Sequence, residues 1–100
     1  MTILVSYDIE NDRLRVKTAN KLLEYGLVRL QKSVFSGAVN ETPWKHLLTW
    51  MQKEVVPQFK PDDRLLYLPL SEGQSALFHF LPAPPPEWIE SVDAPNTLFL

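Results

Sequence analysis

Apolar and polar residues alternate at the start of the chain, which is the pattern of a β-strand. One face of an extended segment would present Ile3, Val5 and Tyr7, and the other would present Leu4, Ser6 and Asp8. Because both faces begin apolar, we predict a central strand with Tyr7 in the core and Asp8 at its carboxyl end. Asp8 stands where sheets often keep reactive groups, but an acid at this position can also serve only to cap the turn.

An amphipathic helix is predicted over residues 13–25, with Asp12 as its N-cap and Gly26 as a left-handed stop. Its predicted buried face consists of the apolar residues Val16, Ala19, Leu22 and Leu23. A separate basic stripe repeats every four residues, at Arg13, Lys17 and Lys21. Such a stripe is usually only a solvated helix face.

Arg15 falls on the apolar side of this helix, in its first turn, and is expected near Asp8 at the end of the sheet. Two interpretations are open from the sequence. Arg15 forms a structural ion pair with an acid of the preceding turn, or its guanidinium group is directed at a phosphate.

Residues 27–39 are extended in character and predict either one bent strand or two strands with a tight reversal near Lys32. The second helix is predicted to have Thr42 as its cap and Pro43 in its first turn, and to end at Pro57. Its apolar residues have helical spacing and indicate a core face: Trp44, Leu47, Leu48, Met51 and Val55. Trp50 lies outside this stripe and is a candidate for contact with a partner.

The last part of the chain predicts further strands. Residues 64–70 read as another inner strand, with Pro69 tolerated near its end. After a turn at residues 71–73, residues 76–81 alternate as a strand that is apolar on both faces. Residues 82–86 form an extended spacer, Pro86 can open a short helix through Trp88 and Ile89, and residues 97–100 have strand propensity. We expect this tail to add to a neighbouring sheet.

The order of these elements predicts an α+β ferredoxin-like sandwich, with an antiparallel sheet, two helices on one face and additional C-terminal strands. Residues 1–81 would form this domain, and residues 82–100 a proline-rich extension that takes part in dimer or partner contacts. The inner strands are apolar on both faces, so the uncovered face needs a partner. A homodimer packed sheet to sheet is therefore predicted.

Composition narrows the class of protein. A chain of 100 residues with 45% hydrophobic content fits one compact domain. It has no cysteine, which excludes disulfides and thiolate metal sites, and His46 and His79 lack the spacing of a zinc site. With no signal peptide or long apolar run, we expect a cytoplasmic protein without membrane contact.

The net charge of −2 does not indicate a nucleic-acid-binding protein, but the charges are unevenly distributed. Residues 1–35 contain six of the ten Lys and Arg residues and only four acids. Positive charge is therefore concentrated in the part of the chain that contains Asp8.

Three groups of short motifs occur within residues 3–70. They are Tyr7, Asp8, Ile9, Asp12, Arg15 and Lys17; then Gly26, Arg29, Gln31, Ser33, Val34, Phe35 and Gly37; and last Tyr67, Leu68, Pro69 and Leu70. Together they resemble the CRISPR-associated Cas-two (Cas2) family, the small protein of the spacer-acquisition module in antiviral defence. The acid that often follows Phe35 in relatives is Ser36 in this chain.

The resemblance implies a ferredoxin-like homodimer in which the two copies of Asp8 face each other. A single aspartate is a poor Mg²⁺ site, whereas two related by a twofold axis would supply a pair of carboxylates. The family includes metal-dependent endonucleases on RNA or double-stranded DNA. The catalytic residues implied here are Asp8, Arg15, Lys17, Arg29 and Phe35. The residues expected to bind nucleic acid are Arg13, Arg15, Lys17, Lys21, Arg29 and Lys32.

A second class of function is also implied. Family members bridge two dimers of the Cas-one integrase and hold the incoming DNA, without need of their own nuclease activity. The chain would then be an architectural scaffold whose basic residues neutralise phosphates. A regulatory module that binds a small ligand between subunits is a third interpretation, but the sequence has no glycine-rich phosphate loop.

Overall fold

The computed structural model describes residues 1–71, 74 and 78–91 of the chain. The elements follow in the order β1 (Thr2–Asp8), α1 (Asp12–Glu24), β2 (Val28–Gln31), β3 (Val34–Ala38), α2 (Glu41–Trp50), β4 (Arg64–Leu70) and α3 (Pro86–Ser91). A π-helical turn (Met51–Val55) and a 3-10 turn (Val56–Gln58) continue α2. The segment over residues 27–39 is thus two strands, with the reversal at Lys32 and Ser33.

The four strands form one antiparallel sheet in the order β2-β3-β1-β4. This is the ferredoxin-like α+β sandwich predicted from the sequence. Strand β1 is central, as predicted, and its buried residues pack with apolar residues of α1 and α2 in one core. The two helices therefore cover the face of the sheet that contains Ile3, Val5 and Tyr7. The opposite face contains Leu4, Ser6 and Asp8.

Helix α1 differs from the prediction at its start. Its N-cap is Asn11, whose side chain accepts a hydrogen bond of 2.8 Å from the amide of Leu14. The prediction of Asp12 as the cap is wrong, because Asp12 already lies in the first turn. The helix ends as predicted at Gly26, whose φ of 89° belongs to the left-handed region that glycine adopts without strain.

The buried face of α1 also differs. Leu14, Thr18, Ala19 and Leu22 are its buried residues. Val16 and Leu23, predicted to be buried, are 56% and 45% exposed. Thr18 occupies a core position because its hydroxyl donates a hydrogen bond of 2.8 Å to the carbonyl of Leu14, which removes the cost of burying it.

Helix α2 has Asn40 at its N-cap position, so the prediction of Thr42 as the cap is wrong. The predicted apolar stripe is confirmed: Trp44, Leu47, Met51 and Val55 are buried, and Leu48 packs against the core. The π-helical turn keeps the stripe directed at the sheet beyond the end of the regular helix.

Strand β4 lies at the edge of the described sheet and is not an inner strand, which corrects the prediction. It pairs on one side with β1. Leu66 and Leu68 are 57% and 49% exposed on the face opposite α1 and α2. The apolar pattern that predicted an inner strand therefore reflects an uncovered sheet face.

Past β4, the described residues 78–80 lie in no helix or strand, so the prediction of a strand is wrong for them. Phe78 stacks on Trp88 with ring centroids 5.1 Å apart, and Phe80 contacts both rings. Helix α3, predicted from Pro86, is confirmed and lies beside β2. Residues 76, 77 and 97–100, also predicted as strands, are outside the described residues. No helix in the described ranges is long and apolar enough to cross a membrane.

Candidate functional site

Asp8 is the last residue of β1, and its carboxylate is exposed. In the antiparallel register it stands opposite Arg64 of β4. Among the residues that the structure describes, none makes a hydrogen bond or an ion pair with the Asp8 carboxylate. The group is therefore available to a ligand from outside the chain.

Arg64 is a cation beside Asp8 that the sequence analysis did not select. Its guanidinium group donates hydrogen bonds of 2.8 Å to the carbonyl of Pro61 and 2.7 Å to that of Asp63. These bonds hold Arg64 against its own loop. The sequence analysis did not select Arg64 because the apolar residues that follow it indicate a strand and not a charged site.

Asp63 connects the loop before β4 to the loop after β1. Its carboxylate accepts hydrogen bonds from the amides of Lys60 at 2.9 Å and Glu10 at 3.0 Å. The bond from Lys60, followed by that from Glu10, holds the pKa of Asp63 below its ordinary value of 3.8. This connection fixes the turn that follows Asp8. The two adjacent acids, Asp62 and Asp63, suggested a turn but not which of them makes it.

The Asp63 connection predicts a pH dependence of stability. Since the folded-state pKa is lowered, the carboxylate contributes its full stabilisation above the unfolded pKa of 3.8, and this stabilisation is lost as the pH falls from that value through the lower folded-state pKa. We expect Asp63→Asn to have a lower melting temperature than the unmodified protein at neutral pH, and the gap to narrow below about pH 4. Thermal unfolding followed by circular dichroism measures both. A gap that stays constant from pH 7 to 3 would contradict the role given to the charge.

Arg15 makes the contacts of a structural residue. Its guanidinium group donates hydrogen bonds to the carbonyl of Ile9 at 2.8 Å and to that of Glu10 at 3.2 Å, and it forms an ion pair with Asp12. Of the two interpretations made from the sequence, the ion pair with an acid of the turn is the one present in the structure. Arg15 thereby holds the backbone that follows Asp8.

Tyr7, Phe35 and Arg29 form a stack at the same end of the sheet. The rings of Tyr7 and Phe35 are 6.0 Å apart, and the Arg29 guanidinium carbon lies 5.0 Å from the centre of the Phe35 ring. Phe35 is fully buried, so its contribution is to position Arg29, which is exposed. Tyr7 is buried, as predicted.

The pKa of the Tyr7 hydroxyl is affected by burial and by two arginines, Arg29 and Arg15. Burial raises the pKa of the Tyr7 phenol, and the guanidinium groups of Arg29 and Arg15 offset part of that rise. The hydroxyl makes no hydrogen bond of ordinary geometry with any described residue. Arg29 pairs with Phe35, and Phe35 with Val5, so Arg29 lies on the same face of the sheet as Tyr7 and on the face opposite Asp8.

The remaining basic residues form a separate group. Arg13, Lys17 and Lys21 lie on the outward face of α1, where Lys17 and Lys21 stand over the ring of Trp50. Lys32 is in the exposed turn between β2 and β3. The predicted nucleic-acid-binding residues thus divide between the end of β1, the hairpin turn and the outward face of α1.

No group of three or more His, Asp or Glu side chains that could hold a metal occurs in the described part of the chain. Asp8 has the hard oxygen ligand that Mg²⁺ prefers, is exposed and is unpaired. The chemistry of Asp8 therefore fits one ligand of a Mg²⁺ site, and the pairing of two Asp8 residues stays a prediction.

A family model described as "CRISPR associated protein Cas2" matches residues 1–76. The chain belongs to the Cas2 family. The match includes β1 with Asp8, both helices and all four strands of the sheet. It ends before the aromatic cluster and α3.

Among curated Cas2 relatives, a "CRISPR-associated endoribonuclease Cas2 2" of Pyrobaculum aerophilum is 42% identical over 53 residues, which are 53% of this chain. The chain spans 58% of that relative's length, and 65% of a namesake from Chloroflexus aurantiacus. A "CRISPR-associated endoribonuclease Cas2" of Korarchaeum cryptofilum is 32% identical over 72 residues, 72% of this chain and 74% of that protein.

Solved structures share the fold of this Cas2 chain. A hypothetical protein of Thermus thermophilus superposes with a TM-score of 0.66 at 30% identity, over 84% of this chain and 93% of the other. The crystal structure of Streptococcus pyogenes Cas2 at pH 6.5 has a TM-score of 0.68 at 20% identity, over 81% of this chain and 99% of the other. At that identity the second comparison establishes the fold alone.

Proposed function

We propose that this Cas2 chain functions in CRISPR adaptation as a homodimer that cleaves phosphodiester bonds with Mg²⁺ held by the two Asp8 carboxylates. The observation that supports this most is the exposed, unpaired carboxylate of Asp8 at the end of the central strand. The curated relatives named above are called endoribonucleases, which supports RNA as one substrate.

The proposed dimer uses the part of the sheet face around β1 and β4 that lies opposite α1 and α2. Residues paired in an antiparallel register point to the same face, so Asp8 shares its face with Leu66 and Leu68 through their partners in β1 and β4. Exposed leucines on a sheet favour burial against a second apolar surface. A twofold pairing through this face would enclose both copies of Asp8.

The proposed chemistry divides the work among a few residues. A bound Mg²⁺ would act as a Lewis acid toward water and phosphate. Arg29, exposed and held over Phe35 on the face opposite Asp8, would meet the charge of a more distant phosphate of the same strand. Arg15 would keep the turn after Asp8 in place through its bonds to the carbonyls of Ile9 and Glu10, and so would position the carboxylate.

A second candidate function is supported by the single carboxylate. Because the described residues of one chain contain no cluster of metal ligands, the chain can instead be an architectural scaffold that binds DNA without cutting it. In this role it would bridge two dimers of the Cas-one integrase. The basic residues of α1 and Arg29 would then neutralise phosphates, and Asp8 would have no catalytic task.

Assays with and without metal separate the two functions. Labelled single-stranded RNA and double-stranded DNA are incubated with the protein in Mg²⁺ or in chelator, and cleavage and binding are measured on the same samples. The nuclease predicts cleavage in Mg²⁺ only, with binding retained in chelator. Binding in both conditions without cleavage in either would support the scaffold and contradict the nuclease.

A further inference from the structure

A groove of about 530 Å³ lies between the outward face of α1 and the end of α2. The buried residues of α1 point in the opposite direction, toward the sheet. The groove therefore lies on the surface of the helix layer, away from the uncovered sheet face and from Asp8. Its lining consists of Arg13, Val16, Lys17, Asn20, Lys21, Glu24 and Trp50.

The groove combines positive charge with one aromatic ring. The ammonium groups of Lys17 and Lys21 lie 5.8 and 5.2 Å from the centre of the Trp50 ring, which is partly exposed. Lys21 forms an ion pair of 3.4 Å with Glu24, the one acid in the lining. Arg13 and Lys17 make no ion pair with any residue that the structure describes, so their charges are available to an anionic ligand.

The spacing of the cations matches an extended anionic chain. Arg13, Lys17 and Lys21 are four residues apart on a helix, so each is displaced from the last by about 6 Å along the axis. That separation is close to the distance between neighbouring phosphates of an extended single strand. Trp50 lies beside this row, where an unpaired base can reach it.

We propose that this groove binds a single-stranded stretch of nucleic acid, with a base stacked on Trp50 and the adjoining phosphates on Arg13 and Lys17. Every unpaired base has a face that can stack on an indole ring, whereas the bases of a duplex are stacked on each other and present only phosphates. The proposal rests on the nucleic-acid binding of the proposed function, to which it adds the form of the strand and a second contact surface.

A base that stacks on Trp50 must compete with the two lysines that now contact the ring. In the free chain, the ammonium groups of Lys17 and Lys21 lie over the electron-rich face of the Trp50 ring and make cation–π contacts with it. A base that stacks on Trp50 would displace them, and the released Lys17 would then contact an adjoining phosphate together with Arg13, while Lys21 keeps its ion pair with Glu24. The groove therefore offers an aromatic ring to the base and positive charges to the phosphates.

The test measures binding of a fluorescein-labelled thymidine oligonucleotide, single-stranded or annealed to its complement, by fluorescence anisotropy in chelator. We expect Trp50→Leu to weaken single-strand binding by about 5- to 150-fold, the effect of losing one stacked base, and to leave duplex binding within about twofold. Trp50→Phe keeps a ring and should retain most of the affinity. Lys17→Ala should lower the slope of log affinity against log salt by about 1.

Lys45→Ala is the matched control, because Lys45 is an exposed lysine of α2 that lies outside the groove and pairs with Glu41. It should change neither affinity. Equal single-strand affinity of Trp50→Leu and the unmodified protein would overturn the groove proposal, as would an equal loss on single strand and duplex. Displacement of the oligonucleotide by polyglutamate as effective as by unlabelled oligonucleotide would indicate an acidic protein partner and would also overturn it.

The outcomes separate this proposal from the proposed function. If the unmodified protein binds neither the thymidine strand nor its duplex, the groove proposal fails, while the proposed function is still decided by the cleavage and binding assay with RNA and DNA. If it binds but Trp50→Leu binds as well, only the groove proposal fails. Circular dichroism and melting temperature establish that Trp50→Leu is folded, and Trp50→Phe supplies the same comparison with less change in packing.

Discussion

Replacing Asp8 with Asn is expected to lower the rate of Mg²⁺-dependent cleavage by about 100-fold or more, which is the usual cost of removing a group that stabilises charge in a transition state. The amide keeps the shape of the side chain but is a much weaker metal ligand. Because Asp8 is exposed and unpaired, its replacement should leave the melting temperature unchanged. Cleavage rate, dimer mass and binding in chelator are measured on one preparation.

Asp62→Asn is the matched control for this variant. Asp62 is also exposed, and its replacement by Asn removes the same charge, but it lies in the loop before β4. It should cleave at the rate of the unmodified protein. Cleavage by a rigorously purified Asp8→Asn protein at that same rate would refute the assignment of Asp8, and loss of its dimer would show that the effect was structural.

Replacing Leu68 with Asp is expected to separate the dimer into folded monomers. Full burial of a leucine side chain contributes roughly 1.5–3 kcal/mol, and a twofold interface contains two copies of each side chain. With about half of that burial in each copy, the loss of roughly 1.5–3 kcal/mol corresponds to roughly a 10- to 150-fold rise in the dimer dissociation constant, and a buried carboxylate adds to it. Sedimentation velocity over a dilution series measures the mass.

Val56→Asp is the control for the sheet face, since Val56 is 45% exposed but belongs to the 3-10 turn after α2. It should remain dimeric. Cleavage should be lost with the dimer in Leu68→Asp, because each chain contributes one Asp8. A Leu68→Asp protein that stays dimeric at the same dissociation constant would place the interface on another surface, and a monomer that still cleaves would contradict the shared metal site.

The elements set by local periodicity were predictable from the sequence. Strand β1, the left-handed end of α1 at Gly26 and the apolar stripe of α2 all follow from short-range patterns, and the structure confirms them. Their prediction required no knowledge of which elements meet. The candidate carboxylate Asp8 was found in the same way, because the strand ends where the apolar alternation ends.

Positions that depend on a polar group finding a partner were not predictable. Hydrophobicity alone favours Val16 over Thr18 as a core residue of α1, but Thr18 satisfies its hydroxyl on the preceding turn and is buried. Asn11 and Asp12 are both good N-cap residues, and only the geometry of the turn decides between them. The role of Asp63 was missed for this reason, since it depends on the amide of Glu10, which is distant in sequence.

The position of β4 was wrong for a different reason. An apolar strand indicates that both faces will be covered, but it does not indicate whether the cover comes from the same chain. Leu66 and Leu68 remain exposed in the described chain. The apolar pattern of β4 is therefore not explained by the described residues of one chain, and the dimer proposed above would account for it.

The two edges of the sheet are unequal. Strand β2 has four residues, an irregularity in its pairing between Arg29 and Gln31, and α3 beside it. Strand β4 has seven residues in regular register, and no other described strand flanks its outer side. Short, bulged and charged edges resist the addition of further strands. Among the described strands, β2 is therefore the edge that resists growth of the sheet into fibrils, and β4 is the edge better suited to pairing with a further strand.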